Sequence, residues 1–115
     1  MDINEFAQDV YDNATAKGFH DGQDTEASHV ANLHSEVSEL WEAHREERLH
    51  LRCDKAKKLE EAGLQALSAA EEELADIIIR ALDSMVHWGI NPKRALTIKH
   101  AYNLTRPRLH GGKVV

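Results

Sequence analysis

The chain has 115 residues, the size of one domain, and we therefore treat residues 1–115 as a single unit. Its net charge of −6 disfavours nucleic acid as a partner, because phosphate contacts require a surplus of Lys and Arg. No apolar run reaches the roughly 20 residues that cross a bilayer, so no membrane partner is expected. Only six Gly and two Pro residues favour helices over a turn-rich β fold. The single cysteine, Cys53, excludes an internal disulfide framework, and the acidic N-terminus is unlike a signal peptide, so we expect a cytoplasmic protein.

Hydrophobic periodicity predicts two helices in the first half of the chain. The first covers residues 2–17, where apolar side chains recur at steps of three and four, and Gly18 favours its end. The second begins at Asp24 or Thr25, either of which can cap it, and runs to about Arg48. One apolar stripe follows this second helix and consists of Val30, Leu33, Val37, Leu40 and Trp41.

A connection leads from the second helix to the third. It covers residues 49–68 and contains a short helical stretch, 55–62, which Gly63 should end. The third helix begins at Ser68, because Ser68-x-x-Glu71 matches a capping box, in which each residue's side chain bonds the other's backbone.

The last two helices indicate how the chain packs. Three consecutive isoleucines, 77–79, give the third helix more than one apolar face, so it should be buried on two sides. Asn91-Pro92 is a favoured start for a fourth helix running to about Leu104, and the tail 106–115 should be flexible without ligand. Together these elements predict an all-α, four-helix-bundle-like fold that assembles as a homodimer or homotetramer, since a monomer would expose the second face.

Four acidic residues are spaced so that they can hold a metal. Glu36-x-x-Glu39 lies in the second helix and Glu73-x-x-Asp76 in the third, and a step of three puts both members of a pair on one helix face. If the two helices pack side by side, the four carboxylates converge. An oxygen-only site of this kind suits Mg²⁺, with Mn²⁺ also possible.

The same residues also fit a solvated acidic surface. Glu71 to Glu73 lie in the first turn of the third helix, where negative charge is favourable without any metal. Against this, neither Glu36 nor Glu39 has a Lys or Arg three or four positions away, and only Asp76 has one, Arg80. Spacing alone leaves both interpretations open.

Three segments resemble the motifs of the MazG-like nucleoside triphosphate pyrophosphohydrolases, in the same order. They are residues 33–45 (LHSEVSELWEAHR), 72–80 (EELADIIIR) and 99–113 (KHAYNLTRPRLHGGK). The resemblance implies a magnesium-dependent enzyme that cleaves a nucleoside triphosphate between the α and β phosphates, giving a monophosphate and pyrophosphate. The 33 residues between Glu39 and Glu73 are more than is usual in that family, which puts substrate choice in doubt more than the metal site.

The resemblance also suggests roles for individual residues. Lys99 and Asn103 share a helix face and would contact phosphate and nucleotide. Arg106 and Lys113, together with Arg108, could clamp phosphates, although a solvated basic tail explains them equally well. Glu39 is our choice for the general base, and it can equally be a metal ligand.

Two other functions remain open. One is a non-catalytic helical interaction module, and the other is a related hydrolase acting on an alarmone nucleotide; neither the base nor the sugar of the substrate can be read from the residues. His34, His44 and His100 could lie near the site or at an interface, but we interpret them as structural. Glu26-x-x-His29 and Glu47-x-x-His50 resemble halves of a di-iron site, but on one continuous helix they would lie about 30 Å apart, too far to share a metal.

Overall fold

The computed structural model describes residues 1–109 and contains five helices. These are α1 (Ile3–Ala16), α2 (Glu26–Arg45), α3 (Ala56–Glu61), α4 (Ala69–His87) and α5 (Pro92–Thr105). No strand occurs in this range, so the expected all-α fold is confirmed. None of the helices within it is both long and apolar enough to cross a membrane. Most of the tail for which flexibility was expected, from residue 110 onward, lies outside the described residues.

Each long helix begins where its capping residue predicts. Asp2 accepts hydrogen bonds from the first turn of α1, and Asn91 accepts one from the Arg94 amide at the start of α5. Thr25 and Ser68 both form capping boxes, at α2 and α4. These bonds satisfy backbone amides that have no partner inside the helix, which explains why local sequence fixes the helix starts.

The end of α2 differs from the prediction. The helix stops at Arg45, three residues before Arg48. Glu47 adopts a left-handed backbone with φ 57°, which turns the chain out of the helix. A glutamate rarely takes this conformation, so the residue type at this position does not predict the end of the helix.

α4 and α5 are the predicted third and fourth helices, because α3 is the short helix within the connection. α4 is central and packs against both α1 and α2, whereas α5 makes smaller contacts with α1 and α4. One face of α4 is covered by these neighbours, and Leu82 is buried. The second apolar face is not covered within a single chain, because Leu74 is 49% exposed and Ile78 is 54% exposed. The stripe on α2 is similarly divided, with Leu33 and Leu40 half-buried and Val30, Val37 and Trp41 exposed.

The connection between α2 and α4 folds back onto the start of α4. The Cys53 amide donates to the Leu67 carbonyl at 2.9 Å, and the Ala69 amide donates to the Leu51 carbonyl at 2.9 Å. An isolated antiparallel bridge joins Arg52 to Ser68 within this pairing. The pairing anchors the segment that leads into α3 beside the acidic first turn of α4.

Candidate functional site

The packing of α2 against α4 brings four carboxylates together. Glu36 and Glu39 come from α2, and Glu73 and Asp76 come from α4. Each of the four residues offers one carboxylate oxygen, and these four oxygens all lie within 4.8 Å of one another. The convergence expected from the two three-residue spacings is therefore present within one chain.

This carboxylate cluster is electrostatically unfavourable when no cation is bound. Burial, followed by the charges of Glu39, Glu72 and Asp76, raises the pKa of Glu73 to about 7. A hydrogen bond with Glu36, followed by burial, raises the pKa of Glu39, and burial is the first cause of the raised pKa of Asp76. Oε2 of Glu73 is also buried without a hydrogen-bond partner among the described residues. A divalent cation would satisfy this oxygen and relieve the repulsion, so the donor set fits magnesium or manganese.

Two cations flank the carboxylate cluster. Nε of Arg80 lies 3.2 Å from Oε1 of Glu36, and Nζ of Lys55 lies 3.8 Å from Oε1 of Glu72. Glu36 has no cationic neighbour along its own helix, as the sequence indicated, but it obtains one from α4. The Arg80 guanidinium also lies over the Phe19 ring, 5.3 Å from its centroid. Sequence spacing did not identify Lys55, because only the folding of the connection places it beside α4.

A cavity of about 540 Å³ opens beside the carboxylate cluster. Glu36, Glu39 and Asp76 contribute acidic groups to its lining, and Lys55 and Arg80 contribute positive charge. The remaining walls come from α1, the turn after it and α4, through Phe6, Asp9, Val10, Asn13, Ala14, Phe19, Ile79 and Asp83. A pocket that combines acid, base and aromatic rings can accept a ligand with both charged and planar parts.

No family model, curated protein or solved structure matched this chain. Four carboxylates form a hard oxygen donor set that suits Mg²⁺ or Mn²⁺ and offers no soft ligand. Next to two cations and a cavity, such a set can bind a metal together with a polyanion.

The expected substrate residues of α5 lie elsewhere in the single chain. Neither Lys99 nor Asn103 lines the cavity. Nζ of Lys99 lies 5.1 Å from the centroid of the Tyr102 ring, and Arg106 lies over the same ring at 5.7 Å. Oδ1 of Asn103 is buried and has no hydrogen-bond partner in the described part of the chain. Lys113 lies outside the described residues, and the roles of all four stay predictions.

Proposed function

We propose that this protein is a magnesium-dependent nucleoside triphosphate pyrophosphohydrolase that releases a nucleoside monophosphate and pyrophosphate. The observation that carries the proposal is the carboxylate cluster, in which a buried oxygen of Glu73 lacks a partner beside a cavity of about 540 Å³. The choice of reaction comes from the resemblance of three segments to the MazG-like enzymes. The location proposed for it is the cytoplasm.

Glu36, Glu39, Glu73 and Asp76 would hold the magnesium ion, or manganese in its place. When bound, the metal neutralises the triphosphate, polarises the phosphorus and makes water a better nucleophile. Glu39 is the most exposed of the four. An accessible carboxylate beside a bound cation can take a proton from water, so we assign Glu39 as the general base.

The rest of the cavity would bind the nucleotide. Lys55 is 68% exposed, and its contact with Glu72 is long for an ion pair, at 3.8 Å. Its ammonium group is therefore able to turn toward a phosphate. Arg80 has further N–H donors beyond the one directed at Glu36 and can bind phosphate oxygens in pairs. Phe6 and Phe19 supply the flat apolar surface on which a base can lie.

Assembly would account for the basic residues that a single chain leaves outside the cavity. Val37, Trp41, Leu74 and Ile78 are each about half exposed on the two helices that carry the carboxylates. A homodimer or homotetramer would cover these side chains and could bring basic residues of another copy toward the phosphates. Lys99 and Arg106, with the amide of Asn103, are the described residues proposed for this role, and Lys113, which lies outside the described residues, is proposed for the same contacts.

The test is to incubate the protein with a panel of canonical, modified and alarmone nucleotides and to assay pyrophosphate separately from phosphate. At least one nucleoside triphosphate is expected to give pyrophosphate and no inorganic phosphate. This cleavage is expected only with Mg²⁺ or Mn²⁺. Turnover of an alarmone alone would identify the related hydrolase instead. If no nucleotide is cleaved with either metal, the enzyme proposal fails and a helical interaction module takes its place.

A further inference from the structure

A second group of side chains of the types that bind metals lies outside the carboxylate cluster. His20, Asp24, His29 and His87 each offer one ligand atom, and these four atoms all lie within 4.8 Å of one another. We call them the histidine cluster. His20 lies in the turn after α1, Asp24 precedes the cap of α2, His29 is in the first turns of α2, and His87 ends α4.

The ring nitrogens of the three histidines converge on Asp24. Nδ1 of His20 lies 2.6 Å and Nε2 of His87 lies 3.0 Å from Oδ2 of this aspartate. Nε2 of His29 lies 2.7 Å from Oδ1. The side chains are largely buried, with exposed fractions of 7% for His20, 10% for Asp24 and 5% for His29, while His87 at 28% gives access from solvent.

One of these nitrogens lacks a hydrogen bond. Although Nε2 of His29 is close to Asp24, the contact does not have hydrogen-bond geometry, and the nitrogen has no hydrogen-bond partner among residues 1–109. Its side chain is 95% buried, since only 5% of its surface is exposed. A buried ring nitrogen without a partner is unfavourable, and a metal ion beside it would satisfy it.

The opposite nitrogen of each ring is held by a different residue. Nε2 of His20 lies 2.8 Å from Oδ1 of Asp83, and Nδ1 of His29 lies 2.7 Å from Oγ of Ser84. Nδ1 of His87 lies 3.3 Å from the Tyr11 hydroxyl. In histidines that bind metals, the nitrogen that does not bind the metal characteristically contacts a carboxylate or another polar group in this way. That contact sets the tautomer and the orientation of the ring.

From the convergence of ligands and the supporting contacts, we infer that the histidine cluster is a zinc site with His20 Nδ1, His29 Nε2, His87 Nε2 and an Asp24 oxygen as its ligands. Three imidazoles and one carboxylate suit zinc and are poor ligands for magnesium. Four protein ligands leave no open position, so the site is structural. The metal would replace the contacts between Asp24 and the rings. The three rings, which now lie within 16° of parallel, would tilt so that each nitrogen points at the ion.

The zinc ion would tie the turn between α1 and α2 to the end of α4. This turn carries Phe19, which lines the cavity, and His20 follows it directly. Asp83, which supports His20, also lines the cavity. Zinc would therefore hold one wall of the cavity, and zinc binding does not depend on the proposed activity.

The test measures zinc binding by the full chain after removal of metals with a chelator. Excess Mg²⁺ is kept present to occupy the carboxylate cluster, and Zn²⁺ is titrated in competition with a chromophoric chelator. We expect one zinc per chain, a rise in Tm on binding, and the visible absorption of tetrahedral cobalt when Co²⁺ replaces zinc. Absence of stoichiometric zinc binding would overturn the inference.

Variants locate the ligands. His87→Gln, at the most accessible ligand, and Asp24→Asn should each weaken zinc binding by at least about tenfold and abolish the rise in Tm. His34→Gln, at an exposed histidine of α2, and Glu73→Gln, in the carboxylate cluster, should bind zinc as the wild type does. Unchanged affinity in both ligand variants would show that zinc binds elsewhere.

Nuclear magnetic resonance of the wild type requires no variant and so does not depend on variant folding. On zinc binding, the ¹⁵N shifts of the coordinating nitrogens of His20, His29 and His87 should move to values typical of metal-bound imidazole. If none of the three moves, the cluster is held by protons and hydrogen bonds alone, and the inference is wrong. Because Glu73→Gln should lose turnover but keep zinc, failure of this site and failure of the proposed activity are distinguishable.

Discussion

Replacing Glu73 with glutamine should stabilise the metal-free protein above neutral pH, although the change removes a proposed magnesium ligand. Burial, and then the negative charges of Glu39, Glu72 and Asp76, raise the pKa of Glu73 from 4.5 to about 7. A carboxyl group with a pKa raised by folding resists ionisation in the folded state, so its ionisation at higher pH weakens folding. Glutamine has nearly the same shape and carries no charge.

The size of the effect follows from the pKa change. Below pH 4.5 Glu73 is protonated in both the folded and the unfolded chain, so the charge contributes no penalty. As the pH rises from 4.5 to about 7, Glu73 ionises readily only in the unfolded chain. The resulting loss in the free energy of unfolding grows to a ceiling of about 3 kcal/mol. Glu73 is partly exposed and its acidic neighbours can take up the proton instead, so we expect about 1–2 kcal/mol. For a chain of this size that corresponds to roughly 3–10 °C in Tm.

Thermal unfolding followed by circular dichroism measures this effect. With a chelator present, the Tm of Glu73→Gln should exceed that of the wild type near pH 8, and the difference should vanish near pH 4. Excess Mg²⁺ near pH 8 should reverse the order, because a ligand that binds only the folded state raises its stability and the variant binds magnesium less well.

Glu61→Gln provides the matched control, because Glu61 is an exposed glutamate at the end of α3, outside the carboxylate cluster. Its Tm should follow that of the wild type under all three conditions. If Glu73→Gln is no more stable than the wild type near pH 8 with chelator present, the electrostatic argument is wrong. If magnesium raises the Tm of both proteins equally, Glu73 does not bind it.

Three further predictions test the site, the assembly and the fold. Glu39→Gln should lower kcat for pyrophosphate release at least about a hundredfold, whereas Lys55→Ala should mainly raise KM. Steady-state kinetics in which Glu39→Gln changes only KM and Lys55→Ala changes only kcat would contradict both roles. Light scattering at micromolar concentration should show a dimer or tetramer that Trp41→Lys shifts toward monomer, since Trp41 is 59% exposed; a monomeric wild type would refute the assembly. Asn91→Ala should lower the free energy of unfolding, measured in urea, by about 1 kcal/mol, because it removes the cap of α5 and the acceptor for the Asn4 side chain. An unchanged value would show that the cap contributes nothing to stability.

The sequence determined the features that depend on residues close together in the chain. Caps at Thr25, Ser68 and Asn91 could be identified because each bonds a backbone amide only three residues away. The pairing of Glu36 with Glu39 on one helix face followed from the geometry of the helical turn in the same way. Convergence of the two acidic pairs required one added assumption, that α2 packs against α4, and the structure supplies that contact.

The tertiary structure alone decided which distant residues meet. Arg80 bonds Glu36 across two helices, and Lys55 reaches the acidic turn of α4 only because the connection folds back. Nothing in the sequence connects the histidines that surround Asp24, since His20 and its partner Asp83 lie 63 positions apart and no periodicity links them. Such contacts depend on how the turn after α1 and the end of α4 pack together, and local hydrogen bonding and helical spacing carry no information about that packing.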